Sequence, residues 1–361
     1  MRHLATIREI ASLRPIAGAD RIEVAQVDGW ECVVQKGEFH TGEHIVYIEV
    51  DSIVPERPEF EFLRDRKFRV RTIKLRGQVS QGLVLPLSIL PNGTPAILGA
   101  DVTDALGIKK YDPEAQQEAQ LLTKQPQKPQ SAIARFLMRF KWYRKLFMKP
   151  KRKGGFPDWI AKTDETRIQN LTTLFEMERN KGTKFSVTEK VDGQSATYYL
   201  RKVSKRKYEF GVCSRNIYLG TPDNSSYWTI ARQLHIEDVL KHLVCDYETI
   251  VLQGEICGNQ IQGNKYHISG YDLFAFNLIY PDHKCGTAEI KKLLEPYGIK
   301  TVPIVEEDKT LPETIAELVE YSKGKSVVRK EQKREGVVMR NVQSNISFKV
   351  INPDFLLAEK D

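Results

Sequence analysis

The second half of this 361-residue chain carries six short polar motifs in a defined order. Several of them adjoin apolar runs that are typical of strands. The first, Lys-x-Asp-Gly, means little alone, because short motifs often occur by chance. The ordered set is far harder to obtain by accident, so it constrains the fold more than any other feature. The motifs are Thr188–Gly193, Ser214–Asn216, Leu252–Gly258, Asp272–Phe276, Glu335–Arg340 and Ser347–Val350.

Length and composition indicate a globular protein with two domains. Hydrophobic residues make up 41% of the chain and charged residues 28%, which is ordinary for such proteins. No segment approaches the roughly eighteen apolar residues of a membrane span, and Met1–Ala5 lacks the apolar core of a signal peptide. The five cysteines are scattered without a Cys-x-x-Cys pair. This predicts a cytoplasmic protein with neither a disulfide framework nor a structural zinc site.

The positive charge is concentrated in one segment. Residues 131–156 contain nine basic and no acidic residues, whereas the whole chain has a net charge of +8, so the remainder is close to neutral at about −1. Such a local concentration favours contact with a polyanion. The nine are Arg135, Arg139, Lys141, Arg144, Lys145, Lys149, Lys151, Arg152 and Lys153.

Residues 1–110 are expected to form a small β-barrel of the oligonucleotide-binding (OB) type, because about five short strands alternate with Gly-containing turns. The Gly18–Ile22 start also resembles the tRNA-binding barrels of some synthetases. The expected strands are Ile22–Val27, Trp30–Val34, His44–Ile48, Lys67–Ile73 and Gln81–Pro86.

Residues 111–155 are expected to be a connector. Its Gln- and Pro-rich first part precedes an amphipathic helix over Ala132–Met148 with basic residues between the apolar ones. This helix has two interpretations, a docking helix with a solvated face or a surface that binds nucleic acid or membrane. The neighbouring motifs favour RNA over membrane.

Residues 156–361 are expected to form the catalytic domain, an α+β unit of antiparallel sheets with flanking helices. Its expected strands are Lys184–Lys190, Ala196–Arg201, Glu209–Cys213, Ile250–Ile256 and Tyr271–Leu278. Its expected helices are Ile230–His242, Ala288–Pro296 and Pro312–Lys323.

Lys190 is the candidate nucleophile. A lysine amine attacks phosphorus only when it is unprotonated, which at the ordinary pKa near 10.4 describes about one molecule in a thousand at neutral pH. The site is therefore expected to lower the pKa of Lys190, by desolvation or through the charges of Lys349, Arg340 or a metal ion. Asp192 is expected to position the lysine or a 3′-hydroxyl. Alone, Lys190–Gly193 would more often be a simple β-turn.

The other motifs supply groups suited to a nucleotide. Glu255 at a strand end suits Mg²⁺ or a ribose hydroxyl, and the Arg215 guanidinium suits phosphate, although each is also a common surface residue. Phe274 or Phe276 is a candidate for stacking on adenine, but core packing is commoner for such rings. Glu335, Arg340 and Lys349 would complete the charges around a triphosphate.

The ordered motifs resemble those of ATP-dependent RNA ligases, in the branch with an N-terminal OB-type domain and a C-terminal nucleotidyltransferase domain. The resemblance also covers the N-terminal region through Leu87 and the stretch Phe156–Asn170. It implies three steps. Lysine takes AMP from ATP, AMP passes to the 5′-phosphate of an RNA end, and a 3′-hydroxyl then displaces AMP.

The resemblance implies a role for each motif residue. Lys190 would be the nucleophile, aided by Asp192 and Lys349, with Mg²⁺ or Mn²⁺ on Glu255 and Glu335. The nucleotide-binding residues would be Glu189, Arg215, Glu255, Phe274, Phe276, Glu335, Arg340 and Lys349. One departure is Ser347, which stands where a second motif lysine is frequent.

The expected partner is RNA, as a nicked or broken duplex, and an RNA/DNA hybrid is another candidate substrate. The protein is expected to be a monomer and not to contact a membrane. The expected RNA-binding residues are Lys67, Arg69, Arg71, Lys74, Arg76, Arg139, Lys141, Arg144 and Lys145. The rival functions are an ATP-dependent DNA ligase, a capping enzyme and a non-catalytic RNA-binding protein. DNA ligases and capping enzymes of the classical type place their OB domain after the catalytic domain, which the order of segments here does not match.

Overall fold

The computed structural model of the protein describes residues 3–112, 154–205, 207–220 and 222–358. Antiparallel sheets predominate, and short helices cover them. Within the described ranges, no helix has the length and apolar character needed to cross a membrane. The helix expected over Ala132–Met148, with its basic residues Arg139, Lys141, Arg144 and Lys145, lies outside the described residues.

The N-terminal region consists of short strands in small antiparallel sheets. Strand β5 lies between β1 and β10, β3 lies between β2 and β4, β6 lies between β7 and β11, and β8 pairs with β9. The strands are β1 Ala5–Glu9, β2 Ser12–Pro15, β3 Ile22–Val27, β4 Trp30–Gln35, β5 His44–Ile48, β6 Ser52–Ile53, β7 Arg69–Val70, β8 Ile73–Leu75, β9 Gln78–Ser80, β10 Leu83–Pro86 and β11 Lys109–Lys110. Two 3-10 helices cover Pro58–Arg66 and Leu87–Ile89.

Alternation along the strands explains the core of this region. Ala25 and Val27 of β3 and Trp30 of β4 are fully buried, whereas the residues between them are partly exposed. Side chains two residues apart in a strand lie on the same face, so Ala25 and Val27 point to one side and meet Trp30 in one apolar cluster. The strands expected over Ile22–Val27 and His44–Ile48 agree with the structure.

The strand expected over Lys67–Ile73 is only partly correct, because β7 covers Arg69–Val70 and β8 begins at Ile73. The 3-10 helix Pro58–Arg66 ends just before this segment, and Lys67 and Phe68 have positive φ angles of 51° and 58°. This turn buries Phe68 beside Leu63 in the core, so burial of the ring outweighs the alternating pattern. The basic residues of this segment consequently do not project from one continuous strand.

The C-terminal region contains a seven-stranded sheet and a four-stranded sheet, ordered β12-β16-β15-β14-β17-β18-β19 and β20-β13-β21-β22. The strands are β12 Gly154–Gly155, β13 Phe185–Glu189, β14 Gln194–Ser204, β15 Lys207–Cys213, β16 Ile217–Tyr218, β17 Thr249–Gly258, β18 Tyr271–Ile279, β19 Lys300–Thr301, β20 Ile304–Lys309, β21 Gly336–Asn341 and β22 Ile346–Ile351. The helices are α1 Thr172–Lys181, α2 Ser226–Gln233, α3 Ile236–Leu243, α4 Thr287–Leu294, α5 Ile315–Ser322 and α6 Pro353–Ala358. Further 3-10 helices cover Ile168–Asn170, Gln262–Asn264 and Glu295–Tyr297.

Each of these two sheets has one apolar face. Tyr198 and Leu252 of the larger sheet pack in one core with α2, α3 and α4. Met339 and Phe348 of the smaller sheet pack in another core with α1 and α5. Because side chains alternate between faces, the polar residues of β13, β14, β17, β21 and β22 lie on the remaining faces, where they surround a common cleft.

The helix expected over Ile230–His242 is in fact two helices, α2 and α3. His235 between them has a φ of 49°, which ends α2 and redirects the chain. The break allows Ile230 of α2 and Val239 of α3 to enter the same core. The helices expected near α4 and α5 agree with the structure apart from their ends, whereas α1 and α6 were not expected.

The N-terminal and C-terminal regions meet at Asn170. Its side-chain oxygen accepts a hydrogen bond of 2.6 Å from Trp30 Nε1, and its amide donates one of 2.6 Å to Glu49. Gly29 lies so close to Gln169 that an added Cβ would be 2.7 Å from Gln169 Cα. The stretch Phe156–Asn170 therefore serves partly as an interface between the two regions.

Candidate active site

The Lys190–Gly193 motif connects the two C-terminal sheets. It follows β13 of the smaller sheet and precedes β14 of the larger one, so it is a crossover and not the simple β-turn that it would form in isolation. Strands β13 and β21 pair antiparallel with Glu189 opposite Val337. The backbone N–H of Lys190 donates to the carbonyl of Gly336 at 3.0 Å, which brings Lys190 beside Glu335.

Carboxylates surround the Lys190 side chain on one side of the cleft. Lys190 Nζ lies 2.7 Å from Glu335 Oε2. Asp192 pairs with Lys265 at 2.6 Å, and its backbone N–H donates to the Tyr266 hydroxyl. Glu255 on β17 lies opposite Ser195 of β14, and both line the cleft. We call the set Lys190, Asp192, Glu255 and Glu335 the nucleophile half of the cleft.

The charges in the nucleophile half favour protonation of the lysine. Burial disfavours its ammonium, but Glu335, Glu255 and Asp192 outweigh burial and raise the pKa of Lys190 above its ordinary value. The expectation of a lowered pKa is therefore wrong for the chain in this structure. Burial together with Glu335 also raises the pKa of Asp192 to about 6, against the opposing effect of Lys265.

Gly193 permits the close approach of this crossover to β17. A Cβ at this position would lie 2.4 Å from the carbonyl oxygen of Ile256 and 2.9 Å from Cγ of Glu255. Real Cβ atoms do not tolerate such contacts. The absence of a side chain at Gly193 therefore allows the crossover to pack directly against β17.

A second group at the cleft has the reverse arrangement, a carboxylate among cations. Asp164 lies 3.1 Å from Lys110 Nζ, 3.1 Å from Arg215 Nη2 and 3.2 Å from Lys349 Nζ. Burial opposes ionisation of Asp164, but Lys349, Arg215 and Lys110 together hold its pKa well below the usual range. We call the set Lys110, Asp164, Arg215 and Lys349 the cation half of the cleft.

Arg340 and Ser347 converge on Glu165 between these halves. Arg340 is buried, donates to Thr188 Oγ1 at 3.1 Å, and lies 3.5 Å from Glu165 Oε1. Burial lowers the pKa of Arg340, partly offset by Glu165. Ser347, which replaces a frequent motif lysine, donates to Glu165 Oε2 at 2.6 Å. A hydroxyl here leaves fewer cations around Glu165 than a lysine would.

The two candidate rings have different positions at the cleft. Phe276 lines it, whereas Phe274 is buried in the small cluster beneath with Val191 and Val302. Glu189 is 1% exposed and accepts a hydrogen bond of 2.7 Å from the Val327 N–H. The cavity volume of the cleft is about 110 Å³.

The structure therefore brings Asp192, Glu255 and Glu335 near Lys190. Lys190 and Glu255 line one cleft together with Arg215, Phe276, Arg340 and Lys349. Asp164, Glu165, Lys110 and Lys265 were missed by residue-level reasoning. Asp164 and Glu165 belong to the stretch Phe156–Asn170, which only the resemblance to RNA ligases indicates. An isolated Asp or Lys has no sequence pattern that would indicate its distant partner.

The expected N-terminal basic residues are dispersed. Arg69 lies 2.7 Å from Asp51 and 3.6 Å from the Tyr111 ring centroid, so other protein groups engage it. Lys74 and Arg76 are exposed near the end of the β8–β9 hairpin. Lys67 is exposed at a helix end and Arg71 is partly exposed. These five basic residues therefore do not line a groove along one strand.

Family models match both regions of the chain. One described as an OB-fold domain matches residues 4–87, and one described as RNA ligase matches residues 183–351. Comparison with curated proteins gave no match.

Solved structures of an RNA ligase from Naegleria gruberi match almost the whole chain. The ligase with PPi is 35% identical, with a TM-score of 0.79, over 99% of this chain and 98% of that one. A mutant with AMP and Mn is 34% identical, and another with ATP and Mn is 33% identical. Each of these covers 100% of both chains with a TM-score of 0.80. The expected α+β architecture, an OB-type domain followed by a ligase domain, is confirmed, and the chain belongs to the RNA ligase family.

Proposed function

We propose that this RNA ligase uses ATP to join a 3′-hydroxyl end to a 5′-phosphate end through a lysine–AMP intermediate. The observation that carries the proposal is Lys190 at the boundary of two sheets, among carboxylates and with a group of cations at the same cleft. The likeness to a ligase with ATP, AMP and Mn supports it. Its role would be the repair of breaks in RNA duplexes. That the enzyme is a monomer and is located in the cytoplasm stays a prediction.

The first step is transfer of AMP to Lys190. The amine of Lys190 attacks the α-phosphorus of ATP, a P–N bond forms, and pyrophosphate leaves. The lysine must first lose a proton, and the Glu335 carboxylate lies at hydrogen-bond distance from it. In the two later steps, the 5′-phosphate of RNA takes the AMP, and a 3′-hydroxyl displaces it with formation of the phosphodiester bond.

Glu255 and Glu335 fit a divalent cation. Both carboxylates act electrostatically on the same ammonium, and oxygen ligands of this kind suit Mg²⁺ and Mn²⁺. When bound, the metal would neutralise phosphate charge. The chain's own residues then do the positioning. Phe276 and Glu189 would hold adenosine, while Arg215, Arg340 and Lys349 would contact phosphates.

The first test is the intact mass of the protein after incubation with Mg²⁺ or Mn²⁺ and either ATP or GTP. Wild type should gain one AMP from ATP, and Lys190→Ala should gain none. Lys241→Ala, at an exposed helix position paired with Glu237, is the matched control and should behave as wild type. Protein that is already adenylylated should lose that mass on treatment with pyrophosphate.

A GMP adduct would instead indicate capping chemistry. Absence of any adduct, before or after pyrophosphate treatment, would contradict the proposal and favour a non-catalytic RNA-binding protein. The substrate can be defined by comparing the sealing of two nicked duplexes, one with RNA and one with DNA as the strand that ends in the 3′-hydroxyl.

Lys74 and Arg76 are the N-terminal residues that we propose contact RNA, because they are exposed on a hairpin. Removing both charges should weaken RNA binding and flatten its salt dependence, by about 0.9 in slope for each lost phosphate contact. The connector residues Arg139, Lys141, Arg144 and Lys145 stay candidates for the same role.

A further inference from the structure

A second group of metal-ligating side chains lies where β18 leads into α4. The chain turns after β18, with the Tyr280 N–H donating to the His283 carbonyl and the Cys285 N–H donating to the Leu278 carbonyl, both at 2.9 Å. A bridge between Ile279 and Lys284 completes the turn. The backbone thus fixes His283 and Cys285 two residues apart.

The first turn of α4 supplies a third group. Glu289 is the third residue of the helix, and one of its oxygens accepts a hydrogen bond from the Gly286 N–H at 3.3 Å. A nitrogen of His283, the Cys285 sulfur and an oxygen of Glu289 all lie within 4.8 Å of one another. These are the nitrogen, sulfur and oxygen donors that zinc accepts in proteins.

Two contacts hold the His283 ring. Its Nδ1 lies 2.7 Å from Asp282 Oδ1, and its ring stacks on Tyr280 with centroids 4.8 Å apart. A carboxylate on one imidazole nitrogen fixes the ring and leaves the other nitrogen for the cation, the usual outer partner of a ligating histidine.

Cys285 is 2% exposed, unlike its two partners. Zinc binds the thiolate form of cysteine, so binding would release the thiol proton to solvent. The positive end of α4 disfavours a cation, whereas Glu289 and Asp282 favour one.

We propose that His283, Cys285 and Glu289 bind a zinc ion, with water in the fourth position. Bond lengths of about 2.0–2.3 Å require ligand atoms closer than 4.8 Å, and the exposed side chains of His283 and Glu289 can make that approach. The site is separate from the proposed nucleotide cleft, whose lining in the described chain includes none of the three. It would clamp the turn after β18 to α4. The spacing His-x-Cys-x3-Glu lacks a Cys-x-x-Cys pair, which is why the cysteine pattern did not indicate it.

The test uses Co²⁺ as a visible substitute for zinc in the full chain, after removal of metals with a chelator and without nucleotide. Wild type should show a sulfur-to-cobalt charge-transfer band and tetrahedral d–d bands that saturate at one equivalent, and Zn²⁺ should abolish both. Carboxylates in the nucleotide cleft cannot give the sulfur band. Cys285→Ser should lose it.

Two control variants separate this thiol from the others. Cys245→Ser removes an exposed thiol, and Cys257→Ser removes a buried thiol whose pKa is raised by its burial, with Glu255 adding to the rise. Both should retain the band. Asp282→Asn should weaken Co²⁺ binding by about 10- to 100-fold, as loss of an outer partner does.

His283→Asn, at an exposed position, keeps the test decisive if Cys285→Ser folds poorly, and it should also lose tight binding. Absence of the band in folded wild type, its survival in Cys285→Ser, or unchanged affinity in His283→Asn would each overturn the site. Lysine adenylylation measured in the same samples reports separately on the proposed ligase function.

Discussion

The two halves of the cleft are electrostatic opposites. In the nucleophile half, one lysine lies among Asp192, Glu255 and Glu335, and its pKa is raised. In the cation half, one carboxylate lies among Lys110, Arg215 and Lys349, and its pKa is lowered. Each half thus compensates the single charge at its centre with several charges of the other sign.

The difference indicates what each half can bind. The nucleophile half has more carboxylates than lysines, so a divalent cation would improve its charge balance. The cation half has more cations than carboxylates, so phosphate groups would improve its balance. A triphosphate with a metal ion matches both halves at once. In this structure Asp164 pairs with Lys110, Arg215 and Lys349, the groups that we propose contact phosphates or lie beside them.

The largest effect is expected from Glu335→Gln in the nucleophile half. It removes a proposed metal ligand, worth several kcal/mol, and this loss should outweigh the easier deprotonation of Lys190 that follows from losing the nearest negative charge. Adenylylation measured by single-turnover kinetics should fall roughly 100-fold or more. Glu313→Gln, whose side chain is 85% exposed, is the control and should change nothing. A normal adenylylation rate in Glu335→Gln would contradict metal binding by the nucleophile half.

Gly193→Ala should destabilise the connection between the two sheets. Its Cβ would meet backbone and the Glu255 side chain, and such overpacking typically costs about 1–3 kcal/mol. Denaturant unfolding gives the change, and Gly154→Ala, with no atom within 4 Å of the added Cβ, should leave stability nearly unaltered. An equally mild effect at both positions would show that the close approach is not needed.

Asp164→Asn tests the cation half through pH. Because the folded-state pKa of Asp164 is lowered, its contribution to stability is full above the unfolded pKa near 3.9 and is lost as pH falls through the folded value. The side chain is 36% exposed, so solvent screening limits the contribution to about 1 kcal/mol or less. The free energy of unfolding should differ between wild type and variant at pH 7 and converge in acid.

The same variant should also bind ATP more tightly at low salt, by several-fold, because a competing carboxylate is gone from the phosphate-binding groups. Weaker ATP binding in Asp164→Asn would contradict the role of the cation half as a phosphate site.

The smallest effect is expected from Lys110→Met. It removes a cation that the N-terminal region contributes to this half. Lys110 and Asp164 are each about one-third exposed, and ion pairs of this kind contribute about 0–1 kcal/mol. Adenylylation should be nearly unchanged and sealing slightly slower. A loss of adenylylation as large as that of Glu335→Gln would abolish the distinction between the halves.

The general architecture could be predicted because alternation and motif order are local properties. Val187, Met339 and Phe348 face a core while Thr188, Arg340 and Lys349 face the cleft, as period-two strands require. The break at Lys67 and the reversal at His235 could not be predicted, because burial of distant apolar partners selects those left-handed backbones.

The electrostatics of the site were harder to predict than its composition. The sequence indicated that Lys190, Lys349 and Arg340 belong to one site, and the structure places them around one cleft. The sign of the pKa shift at Lys190 depends on which carboxylate lies nearest to which cation. Pairings such as Asp164 with Lys110 join residues of separate regions and leave no periodic pattern in the chain.

The most direct test of this account is to locate the AMP by tandem mass spectrometry of peptides from protein incubated with ATP and Mg²⁺. We expect AMP on the peptide that contains Lys190, where the two sheets join. Modification of Lys265 or Lys349 instead, with Lys190 unmodified, would contradict it, because the nucleophile would then lie outside the position that the three carboxylates surround.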